Sequence, residues 1–303
     1  MLLGTTPWRL NSTMTADALC QQAEQAQAWG YHSFWLPERH FADDRSLPEP
    51  LMLLAAVAAR TCTIKLATTS YLLPIRNPLL AAEQVAVLDQ LSEGRLILGL
   101  GRGFQKTMLR AFEVDPKRKR DLFDHILSVM KRAWAGDPVG CLEQPVRLSP
   151  LPVQQPHPPL VMAAFGPKAL RQAAKHGLPY LASPVESLRQ LEVNREIYLD
   201  AMNEFGHEEK AEIAAMRTLF VCNDHRRCQQ VEQQLQALRA SMTIDPDATD
   251  LPWIVGSEDR VADEIALYAE RLNLNTLIAT RPAIKGLASQ WCEESCQMLA
   301  GLL

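Results

Sequence analysis

The sequence predicts an α/β fold and, within that class, a (β/α)8 TIM barrel that forms a single domain over residues 1–303. Short apolar segments alternate with longer segments of helical periodicity along the whole chain. The apolar segments are nearly continuous, which is typical of parallel strands buried on both faces. About eight strand–helix pairs can be counted, the number that such a barrel requires. A doubly wound open sheet is the alternative, because periodicity alone does not distinguish the two.

Eight segments are predicted as strands because they are short, apolar or β-branched, and bounded by turn residues. They are Leu2–Thr5, Ser33–Leu36, Ile64–Ser70, Leu96–Leu100, Leu160–Ala164, Tyr180–Ala182, Met216–Cys222 and Thr276–Ala279.

The longer periodic segments are predicted as helices, several with glycine after their last turn or proline in their first. They are Thr15–Trp29, Pro50–Arg60, Pro78–Ser92, Phe123–Trp134, Lys168–His176, Glu186–Phe205, Arg226–Ala240, Ser257–Leu272 and Lys285–Leu303. The apolar residues of Pro78–Ser92 are not confined to one face. This pattern predicts that the helix is covered by the barrel on one side and by a second subunit on the other.

Two connections are long, Gly136–Pro159 and Thr243–Pro252, and loops of this length are either lids and binding loops or plain surface excursions. The net charge is −4 and the basic residues are scattered, which argues against a nucleic-acid partner. The seven cysteines follow no repeated spacing, so neither a disulfide framework nor a metal site is expected. We expect a cytoplasmic protein, because the N-terminus does not resemble a signal peptide and the longest apolar stretch, Leu51–Ala59, is too short to span a bilayer.

Active sites of such barrels are built from the loops after the strands, so the residues at strand ends are the candidates. These are Glu38–Phe41, Thr69–Tyr71, Gly101–Gly103 and Phe165–Lys168. The segment Gly99–Gly103 is not a dinucleotide fingerprint, because the glycine spacing differs and no periodic helix follows. Arg102 can make paired bonds to a phosphate, although a tight turn with Arg102 on a surface carboxylate is equally consistent with the sequence.

The helix that opens at Gly166 is a second candidate for binding a phosphate, through its backbone N–H groups and Lys168. Ordinary helix initiation explains Pro167 equally well. Together with Arg102, this helix start predicts one phosphate site. His40 follows a strand among charged residues, which makes it a candidate general acid or base. The basic run Lys117–Arg120 is interpreted as a solvated helix start, with a role over the phosphate as the second possibility.

Several segments resemble the bacterial-luciferase-like family of flavin-dependent monooxygenases. Trp35–Phe41 resembles its second-strand motif, Ala67–Phe104 is a long and specific block, and Ile254–Ser257 resembles a late segment. The resemblance extends across the whole chain. It implies a barrel, usually a homodimer, that binds flavin mononucleotide (FMN) at the strand ends.

The resemblance also implies a set of site residues. Arg102 matches the phosphate-binding arginine, Thr69–Ser70 falls where the family has a cis peptide under the flavin ring, and the turn at Phe165 matches a second phosphate-contacting segment. The cofactor-binding residues it implies are Glu38, Thr69, Ser70, Leu100, Arg102, Gly103, Phe165, Gly166 and Lys168.

Two departures from the family pattern bear on catalysis. Light-emitting members have Glu-His-His-Phe where this chain has Glu38-Arg39-His40-Phe41, and their catalytic histidine is the first of the pair. Their reactive cysteine is replaced by Gly101. Light emission is therefore not expected. His40 and Arg39 are the catalytic candidates: His40 moves a proton or is only structural, and Arg39 holds an anionic substrate group or the flavin.

The leading hypothesis is a monooxygenase that uses reduced FMN, supplied by a separate reductase, and dioxygen to oxidise a small organic substrate. Two alternatives stay open. One is hydride transfer with a deazaflavin, since related barrels use that cofactor. The other is a flavin-binding protein without turnover.

Overall fold

The structure of the protein, a computed structural model, describes residues 1–11, 13–141, 143–239 and 250–302. Most of the predicted loop Thr243–Pro252 lies outside the described residues, as do Ala240 and Leu303 at the ends of two predicted helices. The chain divides into two compact units. The first unit comprises Met1–Arg9, Gln22–Trp35 and Met162–Leu303, and the second comprises Leu10–Gln21 and Leu36–Val161.

In chain order the strands are β1 (Leu2–Thr5), β2 (Ser33–Leu36), β3 (Lys65–Thr68), β4 (Tyr71–Leu72), β5 (Leu96–Gly101), β6 (Val139–Gly140), β7 (Pro145–Val146), β8 (Leu160–Ala163), β9 (Tyr180–Ala182), β10 (Ile213–Val221), β11 (Trp253–Gly256) and β12 (Thr276–Thr280). The helices are α1 (Ala16–Ala28), α2 (Pro50–Ala58), α3 (Pro78–Leu91), α4 (Lys106–Ala111), α5 (Lys119–Trp134), α6 (Pro167–Lys175), α7 (Leu188–Glu204), α8 (His225–Leu238), α9 (Glu258–Leu272) and α10 (Ser289–Ala300).

The first unit contains a parallel sheet in which β1 pairs with β12 and β2, β12 with β10, β10 with β9, and β9 with β8. In the second unit β3 pairs in parallel with β5, and β6 and β7 form an antiparallel hairpin. The hydrogen-bonded order is β11-β10-β12-β1-β2-β3-β5-β8-β9, and β9 pairs again with β10. Because this order closes on itself through eight parallel strands of the described residues, the predicted barrel is confirmed and the open sheet is excluded.

The predicted strands and helices are confirmed with small shifts at their ends. β10 begins at Ile213 rather than Met216, because Ile213, Ala214 and Ala215 pair with β9. β11 was not predicted as a strand, and it pairs with the second half of β10. The short helix α4 was not predicted either, since its six residues carry too little periodicity to be recognised.

The described part of the long connection Gly136–Pro159 is attached to α3 and β5 through Gln154. Gln154 donates from its backbone and its side chain to the buried Asp89 of α3, at 2.8 and 2.7 Å. It also donates to the backbone carbonyl of Leu96, the first residue of β5, at 2.8 Å. The loop is therefore attached where β5 begins, at the opposite end of the strand from Arg102. Within the residues that the structure describes, no helix is long and apolar enough to cross a membrane.

Candidate active site

The end of β5 packs so closely against the end of β3 that two positions accept only glycine. A Cβ atom on Gly99 would lie 1.8 Å from the carbonyl oxygen of Thr68, and one on Gly101 would lie 1.9 Å from Ser70 Oγ. The Thr69–Ser70 peptide is cis, as the resemblance implies. The reactive cysteine of the light-emitting family members has no room at position 101, because Ser70 fills the space beside it.

Arg102 lies at the centre of a group of basic side chains in the second unit, which we call the cation cluster: Arg102, Lys106, Lys119 and Arg120. Burial lowers the pKa of Arg102, the charge of Arg120 lowers it further, and Asp124 opposes both effects. Burial also lowers the pKa of Lys119, and Arg102, Arg120 and Lys106 each add to that effect. Lys119 Nζ donates to the carbonyl oxygen of Gly103 at 2.8 Å.

A cluster of like charges at the end of a strand disfavours its own charged state, and a bound anion would reverse that effect. A second feature at the same strand ends points to a ligand. Among the described residues, the buried Thr69 Oγ1 has no hydrogen-bond partner, and a buried hydroxyl without a partner is costly. The cluster and this hydroxyl fit a phosphorylated ligand with further polar groups.

Glu38 is the centre of a buried network in the same unit. Its side chain is completely buried, and its Oε1 accepts hydrogen bonds from Arg76 and faces His40 Nε2 at 2.7 Å. Its Oε2 accepts from the backbone N–H of Leu72 at 2.8 Å. Arg76 also binds Glu49 through two bonds of 2.7 and 2.8 Å. Both oxygens of Glu38 are thus bound within the protein, so Glu38 positions the groups around it.

His40 is 8% exposed and lies among aromatic rings. The ring of Phe112 meets it edge-on, with centroids 4.9 Å apart, and that of Phe41 lies at 6.0 Å. Arg39 is exposed, whereas Glu38 and His40 on either side of it are buried. The structure therefore joins His40 to Glu38 and leaves the side chain of Arg39 at the surface.

The predicted site residues of the first unit lie at the end of β8. Gly166 has φ +80° and precedes α6, Phe165 is 54% exposed, and Lys168 is exposed. A positive φ of this kind is accessible to glycine without strain, which explains the glycine at the start of the helix. That this helix start shares a phosphate with Arg102 stays a prediction.

Sequence reasoning missed one residue of the site and left another between two interpretations. Arg76 was not singled out, although it binds Glu38 from 38 positions further along the chain. Lys119 was interpreted as part of a solvated helix start. That interpretation holds for Lys117 and Arg118, which are exposed, but Lys119 is partly buried beside Gly103. The available signal for Lys119 was a basic residue that follows the strand-end residue Arg102 by one helix, α4.

Another network that the sequence did not indicate follows β9 in the first unit. Glu186 is buried, and its carboxylate accepts hydrogen bonds from Tyr180, Asn194 and the backbone of Ser183. Burial raises the pKa of Glu186, and its hydrogen bonds and the charge of Arg217 oppose that rise. Across the described part of the chain, no group of three His, Cys, Asp or Glu side chains could hold a metal ion.

The fold places the chain among the (β/α)8-barrel proteins. A monooxygenase from Streptomyces bottropensis superimposes with a TM-score of 0.83 and 23% identity, over 100% of this chain and 98% of that one. The oxygenating constituent of 3,6-diketocamphane monooxygenase from Pseudomonas putida, solved in complex with FMN, gives 0.81 and 22% identity, over 99% and 97%. A coenzyme F420 dependent reductase from Methanopyrus kandleri gives 0.75 and 16%, over 100% and 97%. At these identities the likeness establishes the fold.

The sequence profile of the luciferase-like monooxygenases matches residues 1–273, and the chain belongs to that family. The alkanal monooxygenase alpha chain of Photorhabdus luminescens is 26% identical over 68% of this chain and 59% of that protein. The oxygenase component of flavin-dependent trigonelline monooxygenase from Acinetobacter baylyi is 27% identical over 70% and 60%. The chain thus spans about 60% or less of the length of the first curated relatives it matches. The family predicted from the sequence is confirmed.

Proposed function

We propose that the protein is a flavin-dependent monooxygenase that uses reduced FMN and dioxygen to oxidise a small organic substrate. The observation that carries this proposal is the cation cluster around Arg102 at the end of β5. Four basic side chains, two of them with pKa values lowered by burial and by one another, suit a phosphate dianion. Family membership supports flavin as the molecule that bears this phosphate.

The residues of the second unit would divide the work of holding the cofactor. Arg102 and Lys119 would bind the phosphate, and the buried hydroxyl of Thr69 would bond a polar atom of the flavin. In the first unit, we propose the Gly166 helix start, with Lys168, as an element that binds phosphate. Bound reduced flavin supplies the two electrons with which dioxygen is activated.

His40 is the proposed proton carrier. Its Nε2 is held by Glu38 at 2.7 Å, so the ring is oriented and Nδ1 is the nitrogen that can exchange a proton with a substrate or cofactor atom. Arg39, exposed on the same loop, would orient an anionic group of the substrate or flavin. Because light emission uses a histidine at position 39, we propose a different oxidation for this protein.

Three proposals concern the setting of the enzyme. A separate flavin reductase would supply the reduced cofactor to this protein. The relative that acts on trigonelline is named an "oxygenase component", which supports a separate partner for that enzyme. All seven cysteines are free, which supports a cytoplasmic location. A homodimer is supported by the exposed apolar side chains of α3. Leu80, Val87 and Leu91 are 54%, 43% and 58% exposed, and they offer an apolar surface to a second copy.

The test of the cofactor assignment compares FMN with riboflavin, which lacks only the phosphate. Fluorescence titration of the wild-type protein should give a lower Kd for FMN than for riboflavin. Arg102→Gln and Lys119→Met should each weaken FMN binding about 10- to 100-fold, because each removes charge-assisted bonds of about 1.5–3 kcal/mol, and leave riboflavin binding unchanged.

Arg118→Gln is the matched control, because Arg118 is exposed in the same basic run, and it should bind FMN as the wild type does. Equal affinities for FMN and riboflavin in the wild type would refute the phosphate assignment. Preferential binding of coenzyme F420 in a parallel titration would favour the deazaflavin alternative. Tight binding of FMN without substrate-dependent oxygen consumption would favour a binding protein without turnover.

A further inference from the structure

We infer that Phe41 and Phe112 form the wall against which the substrate binds, and that the substrate carries an apolar ring. This inference rests on the proposed function and extends it to the class of substrate. The two rings lie 5.6 Å apart with an interplanar angle of 32°, and both are in the second unit. They come from different loops, one after β2 and one at the end of α4.

Phe41 combines an unusual backbone conformation with an exposed aromatic ring. Its φ is +53°, a region that bulky residues seldom adopt, and it is 70% exposed. A strained backbone that holds a large apolar ring in water lowers stability twice. Such features concentrate at ligand sites, where strain is retained because it presents a side chain to a ligand.

The loop that carries Phe41 is firmly built. Arg39 and Leu47 exchange backbone hydrogen bonds of 3.0 and 2.8 Å across it, and Ser46 Oγ accepts from the backbone of Ala42 at 2.8 Å. The backbone that carries the exposed ring is therefore fixed by bonds on both sides of Phe41. A preorganised ring loses little conformational entropy when a ligand binds.

The rings border both parts of the proposed active site. His40, the proposed proton carrier, touches the ring of Phe112 edge-on at 4.9 Å. Phe112 directly follows α4, whose first residue, Lys106, belongs to the cation cluster. Six residues of helix span ~9 Å, so α4 separates an anion-binding end from an apolar end by about the length of a small molecule.

The buried carboxylate nearest to the rings is already neutralised, which favours an uncharged substrate group beside His40. Glu38 beside His40 is bound by Arg76 and by a backbone N–H. The two rings are tilted by 32° to each other and do not present one flat face, which suits the edge of an apolar ring more than the flat face of a flavin.

The experiment titrates FMN-loaded protein by calorimetry with two probes of similar shape, ethylbenzene and the cation benzylammonium. The wild type should bind ethylbenzene at least tenfold more tightly than benzylammonium. Phe41→Ala and Phe112→Ala should each weaken ethylbenzene binding by about 5- to 30-fold, as expected for the loss of one aromatic contact. FMN affinity should change less than twofold.

Phe104→Ala is the control, because Phe104 is 84% exposed on the loop after β5, and it should bind ethylbenzene as the wild type does. Thermal melting establishes that each variant is folded. Benzylammonium binding as tight as that of ethylbenzene, or equal losses in Phe104→Ala, would overturn the inference. Loss of FMN affinity in Phe41→Ala would instead place the rings against the cofactor, and a changed oligomeric state would place them against a second copy. If the wild type does not bind FMN at all, the proposed function fails; if it binds FMN but not ethylbenzene, only this inference fails.

Discussion

Glu38 and Glu49 bind the same guanidinium of Arg76 from environments of different burial. Replacing each in turn therefore measures what burial and the further partners of Glu38 together contribute to the stability of the site. The side chain of Glu38 is 0% exposed and that of Glu49 is 42% exposed, while Arg76 itself is 9% exposed. The perturbations are Glu38→Gln and Glu49→Gln, which keep the shape of each side chain and remove its charge.

The magnitudes follow from the contacts. Glu38 has three partners, and glutamine at this position offers only one oxygen to them, with an NH2 group facing donors. Removing one partner of a buried ion pair costs about 3–5 kcal/mol, whereas a half-exposed carboxylate contributes about 0–1 kcal/mol. At roughly 2 °C per kcal/mol for a chain of this size, Glu38→Gln should lower the Tm by about 6–10 °C and Glu49→Gln by about 2 °C or less.

The assay is thermal melting by circular dichroism at pH 7, repeated with saturating FMN. The Tm difference between the two variants should persist in both conditions if the network is a positioning device of the protein itself. A decrease for Glu49→Gln as large as that for Glu38→Gln would refute the reasoning. Glu38 is buried and binds three groups, whereas Glu49 is half-exposed and both of its oxygens accept from one nitrogen of Arg76.

Three further predictions follow from other contacts. Gly101→Ala should lower the free energy of unfolding by about 1–3 kcal/mol, because its Cβ would lie 1.9 Å from Ser70 Oγ. Urea unfolding should show that the double variant with Ser70→Gly recovers most of this loss. A double variant without any recovery would contradict the proposed clash. Burial raises the pKa of Glu186 above its ordinary 4.5, so the contribution of Glu186 to stability is present below pH 4.5 and is lost as the pH rises through the raised value. The Tm of Glu186→Gln relative to that of the wild type should therefore increase with pH. A Tm difference that stays constant with pH would contradict this prediction. Val87→Lys and Leu91→Lys on the exposed face of α3 should yield monomers in light scattering if that face binds a second copy, with Val146→Lys, whose residue is 54% exposed on the β6–β7 hairpin, as the control.

The sequence was sufficient to predict the barrel, and it selected Arg102 as a candidate, since both follow from local patterns. Apolar runs mark the strands, and the strand-end rule selects the residues after them. Lys119 could not be chosen from Lys117–Arg120 because the four side chains are chemically alike. Only the phase of α5, which begins at Lys119, decides which of them turns towards Gly103. β11 was missed although it is as long as other strands that were predicted, because the eight strands that the barrel requires are accounted for without it.

Arg76 was missed for a different reason, because its partner Glu38 is remote in sequence and ion pairs leave no periodic pattern. Sequence alternation also could not decide which of Arg39 and His40 faces inward. All four residues of β2 are buried, and burial alternates only after the strand, where Glu38 and His40 are buried and Arg39 is exposed.

This alternation bears on the departure from the light-emitting family members. The position at which they carry the catalytic histidine, 39, is the exposed one in this chain, and the histidine that is retained, His40, is bound to Glu38. If His40 carries the proton, its orientation depends on Glu38, which depends in turn on Arg76 and on the backbone of Leu72. Replacement of Arg76 by Met, remote from any substrate contact, should then lower kcat with little change in KM, whereas Arg39→Met should raise KM, because only the second residue would touch an anionic group directly.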